Sequence, residues 1–343
     1  MAGKLFSPRM IGVCGSSKEL SSEAATFCGA LGRRLAQDPL ARIVSGGTRR
    51  RSGRPSDDLA ADWLIVNAAC ETIGPDHELE RVVTVLREGD PHDETEAFRK
   101  GTERRARGKT GEARRISFVR GLDALIAVGG RGGTAQELAL AIEQHIRVLP
   151  VPTFEGRARE FWDAYRSDLL TELRIDEERA ARWENPPELT PKTLQELADE
   201  MVDMLFRSLP RRCFVIMPFH RDFDGLYDFV IAAAVRAAGD EPLRVDRVGA
   251  PGDATRMVQE GIRNCEYSIA VLDGMRPNVL YELGLAHGQS KPTILMNREG
   301  TLGADGEAPF DLYTHQRLQY SKIDQQLTTL LTEMVKGLTI SRV

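Results

Sequence analysis

Cysteine is scarce in this 343-residue chain: Cys14, Cys28, Cys70, Cys213 and Cys265 are an odd count with no CxxC pair. Neither a disulfide framework nor a zinc site follows from them, and free thiols in a reducing cytoplasm are the simplest expectation. Long apolar runs are missing too. No uninterrupted stretch approaches the ~18 residues that a membrane helix needs, and the opening MAGKLFSPRM lacks the apolar core of a signal peptide. A cytoplasmic protein with no membrane partner is therefore expected. Excess positive charge is absent as well. A net charge of -5 gives no general attraction to nucleic acid, which sets nucleic acid aside as a partner.

What is present is ordinary globular composition, 41% hydrophobic and 28% charged. At roughly 150 residues per domain, the length predicts about two domains, each with a sizeable core. The basic residues cluster in the first half. Arg49, Arg50, Arg51 and Arg54 form one group, and Lys100, Arg104, Arg105, Arg107, Lys109, Arg114, Arg115 and Arg120 form another. The first group either holds phosphate or is a solvated loop, as most charge runs are.

Two stretches share one plan. Residues 267–296, YSIAVLDGMRPNVLYELGLAHGQSKPTILM, read as buried strand, polar turn, helix and second strand. Asp273-Gly274 bounds the first strand, and Arg276-Pro277-Asn278 leads into a helix carrying Glu282 near its start. Residues 123–152 run strand, Gly-rich turn, helix, strand, with Glu137-Leu138-Ala139-Leu140-Ala141 where the later copy has Glu282-Leu283-Gly284-Leu285-Ala286. The pattern predicts an α/β fold: two Rossmann-like or flavodoxin-like doubly wound parallel-sheet domains at 1–153 and 211–343, joined by a helical connector at 154–210. Ligands of such sheets bind outside the carboxyl ends of the strands, which places Asp273 and Glu282 at one mouth with Asn278 facing them.

In chain order, Met10–Cys14 is a strand ending in Gly15-Ser16-Ser17, followed by a helix over Ser21–Gln37. Small residues at a helix start admit an anionic group to unsatisfied N–H groups, or serve capping alone. The strand Ala41–Ser45 ends in Gly46-Gly47-Thr48. Ala60–Cys70 is helix or strand, Leu79–Leu86 reads as a strand, and the polar stretch from Arg87 to Arg115 reads as a mobile loop or lid. In the turn Gly129-Gly130-Arg131-Gly132-Gly133-Thr134, four glycines suit a backbone that approaches a ligand closely, although the spacing is not GxGxxG. Within the connector, Thr190-Pro191 caps a helix whose Leu194, Leu197, Met201, Met204 and Leu205 form one apolar stripe, packed on a domain or on another subunit of a homo-oligomer. The second domain opens with the strand Cys213–Met217, which ends at Pro218-Phe219. A helix over Leu226–Ala238, a strand over Arg244–Val248, a helix over Asp253–Asn264, and a final strand and amphipathic helix from Gln316 complete the reading.

The runs IGVCGSS at 11–17, SGGT at 45–48 and RRISFVRGLDALIAVGGRGGTAQE at 114–137 resemble the Lonely-Guy and DprA-like (SLOG) superfamily over about the first 150 residues. Val128 stands where the Lonely-Guy motif PGGxGTxxE has its proline. The resemblance implies a Rossmann-like, nucleotide-binding domain. In phosphoribohydrolase members the motif's Arg and last Glu serve cleavage of a base from a ribose monophosphate, which by position are Arg114 and Glu137. Sensor members keep the glycines without the chemistry. VIMPF at 215–219, DGMRPNVLYELGLAHGQSKPTIL and Ala308-Pro309-Phe310-Asp311-Leu312 are similar to the TIR-like and nucleoside 2-deoxyribosyltransferase-like domains of bacterial defence proteins, over about 211–325. This second resemblance implies a nucleophilic Glu282, with Asp273 on the sugar hydroxyls.

The expected function is cleavage or transfer of an N-glycosidic bond by the C-terminal domain, with NAD the first candidate and a nucleoside or nucleotide the next. No cofactor is required. The N-terminal domain would bind a controlling nucleotide, in an antiviral-defence setting inferred by analogy. The alternatives are a non-catalytic nucleotide sensor and an N-terminal phosphoribohydrolase. Simple helix capping by Glu282 and a plain turn at Asp273-Gly274 are the purely structural readings of those residues.

Overall fold

The computed structural model describes residues 8–15, 20–46, 60–89, 100–247, 254–301 and 317–338. They divide into two compact units, Pro8–Leu209 and a second that begins at Pro210.

The first unit is built on β1 (Arg9–Gly15), β2 (Ala41–Ser45), β3 (Val82–Leu86), β4 (Thr102–Arg105), β5 (Ala124–Val128) and β6 (Arg147–Val151). They form a parallel sheet in the order β4-β3-β2-β1-β5-β6. The inner strands VVTVL and ALIAV are buried at every residue, as expected of parallel strands covered on both faces. The covering helices include α1 (Ser22–Gln37), α2 (Ala61–Ile73), α3 (Pro75–Arg81), α4 (Gly111–Val119) and α5 (Gly132–Glu143). Ser21 caps α1, its hydroxyl accepting from Ala24 N at 3.1 Å.

Three expectations change here. Ala60–Cys70, open between helix and strand, is α2 from Ala61 onward. The strand expected from Leu79 begins only at Val82. Pro75 at the first helical position and Asp76 and Glu78 in the first turn favour the short α3 instead. Part of the expected lid is regular structure, β4 and α4. An edge strand pairs through its backbone and needs no apolar side chains, so the polar sequence TERR gave no strand signal. Residues 90–99 of that expectation lie outside the described residues.

The segment expected as a connector folds as α6 (Arg157–Leu173), α7 (Glu177–Glu184) and α8 (Pro191–Ser208). Thr190 and Thr193 close a capping box at the start of α8. Its whole apolar stripe is buried in the first unit's core, together with Trp162 and Trp183. The indole N–H groups of those tryptophans donate to Glu184 and Glu200 at 2.8 and 3.1 Å, which satisfies two donors that burial would otherwise strand.

The second unit carries β7 (Arg212–Ile216), β8 (Glu241–Leu243), β9 (Tyr267–Val271), β10 (Thr293–Arg298) and β11 (Arg317–Tyr320), all parallel, in the order β11-β10-β9-β7-β8. After β7 come α9 (Asp224–Leu226) and α10 (Ala232–Ala237), joined by a π-helical turn at Tyr227–Ile231. The remaining helices are α11 (Ala254–Asn264), α12 (Pro277–Gly288) and α13 (Gln325–Gly337). Separate apolar clusters lie on the two faces of the sheet. Of the strand expected at Arg244–Val248, the described residues 244–247 form none: β8 precedes them, Val245–Arg247 is a 3-10 turn, and Val248 lies outside the described residues. Arg244 is 1% exposed, lies within 2.9 Å of Asp224 and 2.8 Å of Asp246, and stacks over the Tyr227 ring. The turn carries Asp246 beside the buried cation, and Asp224 reaches it from α9.

Each sheet reverses its winding once, between β1 and β5 in the first unit and between β7 and β9 in the second. Crevices at these switch points are where such folds hold ligands.

Candidate functional site

In the first unit a polar cluster gathers beside the carboxyl ends of β1 and β2. Arg114, from α4, donates through Nη2 to Glu137 Oε1 at 3.2 Å and through Nη1 to the carbonyl of Gly46. A Cβ at Gly46 would meet Nη1 of that guanidinium, so a larger residue there would make the arginine shift. Ser45 Oγ donates to Asp62 Oδ2 at 2.9 Å, and Asp62 is 2% exposed. Glu137 is pushed up to about 7. Burial is the main cause and Asp62 adds to it, while Arg114 and a hydrogen bond from the Cys14 thiol oppose it. The same burial, with Glu137 and Asp62 beside it, raises the Cys14 thiol well above its ordinary value.

Of the residues expected here, Arg114, Glu137 and Gly46 come together. Gly15 ends β1, where a side chain would strike the Val128 carbonyl and Ala61 Cβ, so its size serves strand packing. Ser16, Ser17, Gly47, Thr48 and the arginines from 49 to 54 lie outside the described residues. In the Gly-rich turn, Gly129 (φ 61°) and Gly130 (φ 94°) adopt left-handed backbone. Gly132 and Gly133 open α5 with nothing near the place a Cβ would take, and Arg131 provides no side-chain cap. Beside the turn is a cavity of about 420 Å³, lined by Gly129, Gly130, the start of α1 and the Thr153–Gly156 segment. Arg114, Glu137 and Thr134 are not in that lining, and Thr134 packs against Gly130. The glycine turn and the Arg–Glu pair therefore belong to neighbouring features.

The second unit places its site at the β7/β9 switch point. A pocket of about 240 Å³ is lined by Met217, Pro218, Phe219 and His220 after β7, and by Arg276, Asn278, Val279 and Glu282 at the start of α12. Pro218, Phe219, Asn278 and Glu282 thus line one pocket. Glu282 is 7% exposed, and no described residue gives its carboxylate a hydrogen bond or an ion pair. Burial alone pushes it up to about 7. A carboxyl whose pKa is raised by burial holds a proton more readily, and a positive centre brought against it favours the charged form.

Asp273 is not part of that lining. Arg298 N donates to its Oδ1 at 2.7 Å and Tyr320 Oη to its Oδ2 at 2.6 Å, so the carboxylate ties the ends of β10 and β11 to the turn after β9. The pocket lining sets Glu282 with Arg276 and His220, while the carboxylate of Asp273 is held by hydrogen bonds outside that lining. Sequence reasoning missed Arg276 and His220, along with Asp62 and Ser45 in the first unit. Arg276 had a signal in its place before Pro277 at a helix start, and His220 in its place after Pro218-Phe219. Asp62 had none, since it sits in the segment whose periodicity left helix and strand open.

No family model matches the chain, and a search of curated proteins returns no significant match. Several solved structures are similar in part. The molybdenum cofactor carrier protein of Chlamydomonas reinhardtii is 22% identical, over 47% of this chain and 86% of its own, with a TM-score of 0.34. The molybdenum cofactor binding protein of Rippkaea orientalis is 20% identical over 41% and 74%, at 0.31. A CMP N-glycosidase of Clostridium botulinum is 20% identical over 35% and 97%, at 0.28. Identities this low set neither ligand nor activity for this chain.

Proposed function

We propose that the second unit cleaves or transfers an N-glycosidic bond of a nucleotide, with Glu282 as the carboxylate at the anomeric carbon, and that the first unit is a SLOG-like domain that binds a controlling nucleotide. One observation carries the reading: Glu282 is a buried, unpartnered carboxyl at the switch point of a doubly wound sheet. Departure of a base leaves positive charge on the sugar. An ionised carboxylate beneath C1′ stabilises that charge or closes a C1′–O bond to it. With NAD, the C1′–N bond breaks with its electron pair going to nicotinamide, water supplies the hydroxyl at C1′, and a proton is released. A cationic leaving group needs no general acid, and its charge draws Glu282 into its ionised form. NAD is therefore the first substrate to try, and a bacterial-defence setting for this TIR-like unit remains part of the proposal by analogy.

The experiment is chromatography of products after incubating the protein and its Glu282→Gln variant with NAD, nucleoside monophosphates and deoxynucleosides, each with and without other nucleotides as activators. Base release by the parent and none by the variant is the expected outcome. If every substrate survives under all conditions, catalysis by this unit is refuted. A second reading, turnover in the first unit as a phosphoribohydrolase, draws support from the Arg114–Glu137 pair at the end of β2. It requires that Glu137→Gln, and not Glu282→Gln, abolish release of a base from a monophosphate.

A further inference from the structure

The pocket around Glu282 has unlike ends. At its mouth α12 starts without a side-chain cap: Arg276 is the N-cap residue and Pro277 has no N–H to offer. The first intrahelical bond is Leu280 N to Arg276 O at 3.1 Å, so the N–H groups of Asn278 and Val279, both lining residues, precede any helical acceptor. The positive end of the helix dipole lies at the same point. Arg276 also lines the pocket, and its guanidinium has no hydrogen bond or ion pair among the described residues. His220, across the mouth, is already within 3.3 Å of Asp222. Deeper in, four residues beyond Asn278 along α12 and thus about 6 Å of axial rise from it, is the unpartnered carboxyl of Glu282, 7% exposed. Each end lacks the partner its chemistry asks for, and the two needs are opposite in sign.

We propose that this pocket is built for an N-ribosyl 5-phosphate, with the phosphate on Arg276 and the α12 N-terminus and the anomeric carbon over Glu282. The inference rests on the glycosidic reading of the same site and narrows it. The few bonds between the 5-phosphorus and C1′ of a ribose span a distance of the same order as the separation of the two ends. A free nucleoside would leave the guanidinium and both N–H groups to water alone, whereas a phosphate takes them as charge-assisted donors. Nucleoside monophosphates and the nicotinamide half of a dinucleotide both carry the required group, so the selectivity falls between phosphorylated and unphosphorylated ribosides.

Calorimetric titration of the full chain with ribose 5-phosphate and with ribose tests the assignment without any turnover. Ribose 5-phosphate should bind, ribose should bind at least tenfold more weakly, and Arg276→Ala should weaken ribose 5-phosphate at least tenfold while Arg276→Lys retains part of the affinity. Binding in the first unit would not move with Arg276, which keeps the readout local, and an exposed N-cap residue is a safe place to substitute. Indifference of ribose 5-phosphate to Arg276→Ala, or ribose binding as tightly, overturns the proposal. Kinetics then separate it from the reading beneath it. Equal kcat/KM for nicotinamide riboside and nicotinamide mononucleotide would refute the phosphate assignment and leave glycosidic catalysis standing. The titration pattern above with no base released from any substrate would do the reverse.

Discussion

Glu137 and Glu282 are the sixth residues of α5 and α12, helices that each follow a strand flanking the switch point of a parallel sheet. The two helices even end alike. Gln144 and Gln289 bond back to the last turn, and His145 (φ 56°) and Ser290 (φ 55°) close each end in the left-handed region. Both glutamates are pushed up to about 7, in each case mainly by burial, but with different neighbours. Glu137 has burial and Asp62 raising it against Arg114 and Cys14, whereas Glu282 has burial alone. A shared fold device thus carries two unlike chemistries. The first carboxylate is neutralised from within the protein and the second waits for charge from outside, so a perturbed pKa by itself does not say which is the reactive one.

The largest effect that could break this comparison is on turnover. Glu282→Gln is expected to lower base release by about 10³-fold or more, the scale of losing a group that acts on transition-state charge. Glu137→Gln should leave the second unit's rate on saturating substrate within a few-fold, and equal losses in the two variants, by product chromatography, would erase the distinction. Next in size is stability against pH. Because burial raises Glu282 from its ordinary value near 4.5 to about 7, the folded state favours its protonated form. The stability this contributes is present in acid and is lost as pH rises through about 7. Glu282→Gln removes that loss, so above pH 7 the variant should be more stable than the parent by about 3 kcal/mol at most, at 1.36 kcal/mol per pKa unit. Denaturant titrations at pH 5 and pH 8 measure it, and a gain no larger at pH 8 than at pH 5 contradicts an unpartnered buried carboxyl.

Glu137 is raised to about the same value, so its contribution is also lost as pH rises. Glu137→Gln in addition deprives Arg114 of its ion-pair partner, which should offset the gain by about 1–3 kcal/mol for a largely buried, hydrogen-bonded charge left unmatched. A Glu137→Gln protein that gains as much above pH 7 as Glu282→Gln would show the pair to be weaker than its 3.2 Å geometry suggests. Of similar size is Tyr320→Phe, which takes one hydrogen bond from Asp273 and should cost about 1.5–3 kcal/mol, as bonds to charged groups do. Its activity at saturating substrate should stay within a few-fold if Asp273 only ties strand ends together. A drop comparable to that of Glu282→Gln would return Asp273 to the site.

The candidate site was partly legible because its markers are local. Glu282, Asn278, Pro218 and Phe219 each stand at a strand end or a helix start, positions that turn chemistry and apolar runs reveal. Arg114 was named only through the motif of the resembled family, and Glu137 through that motif and the repeated strand–turn–helix plan. The errors arose where distant residues decide. Asp273 has the right place in sequence for a sugar ligand, yet Tyr320, distant in the chain, takes one of its oxygens. The polar stretch around Thr102–Arg105 carries no strand signal, because its pairing with β3 is a backbone affair at a sheet edge.

Alternation of buried strands with periodic helices, set by residues within a few positions of one another, sufficed for an α/β architecture of two parallel sheets and for the twin segments that carry Glu137 and Glu282. Burial, partnering and charge at those two residues are sums over side chains brought from remote parts of the chain. Only the tertiary structure could set Arg114 against one carboxylate and leave the other bare, since desolvation and ion pairing depend on distance in space and not on distance along the chain.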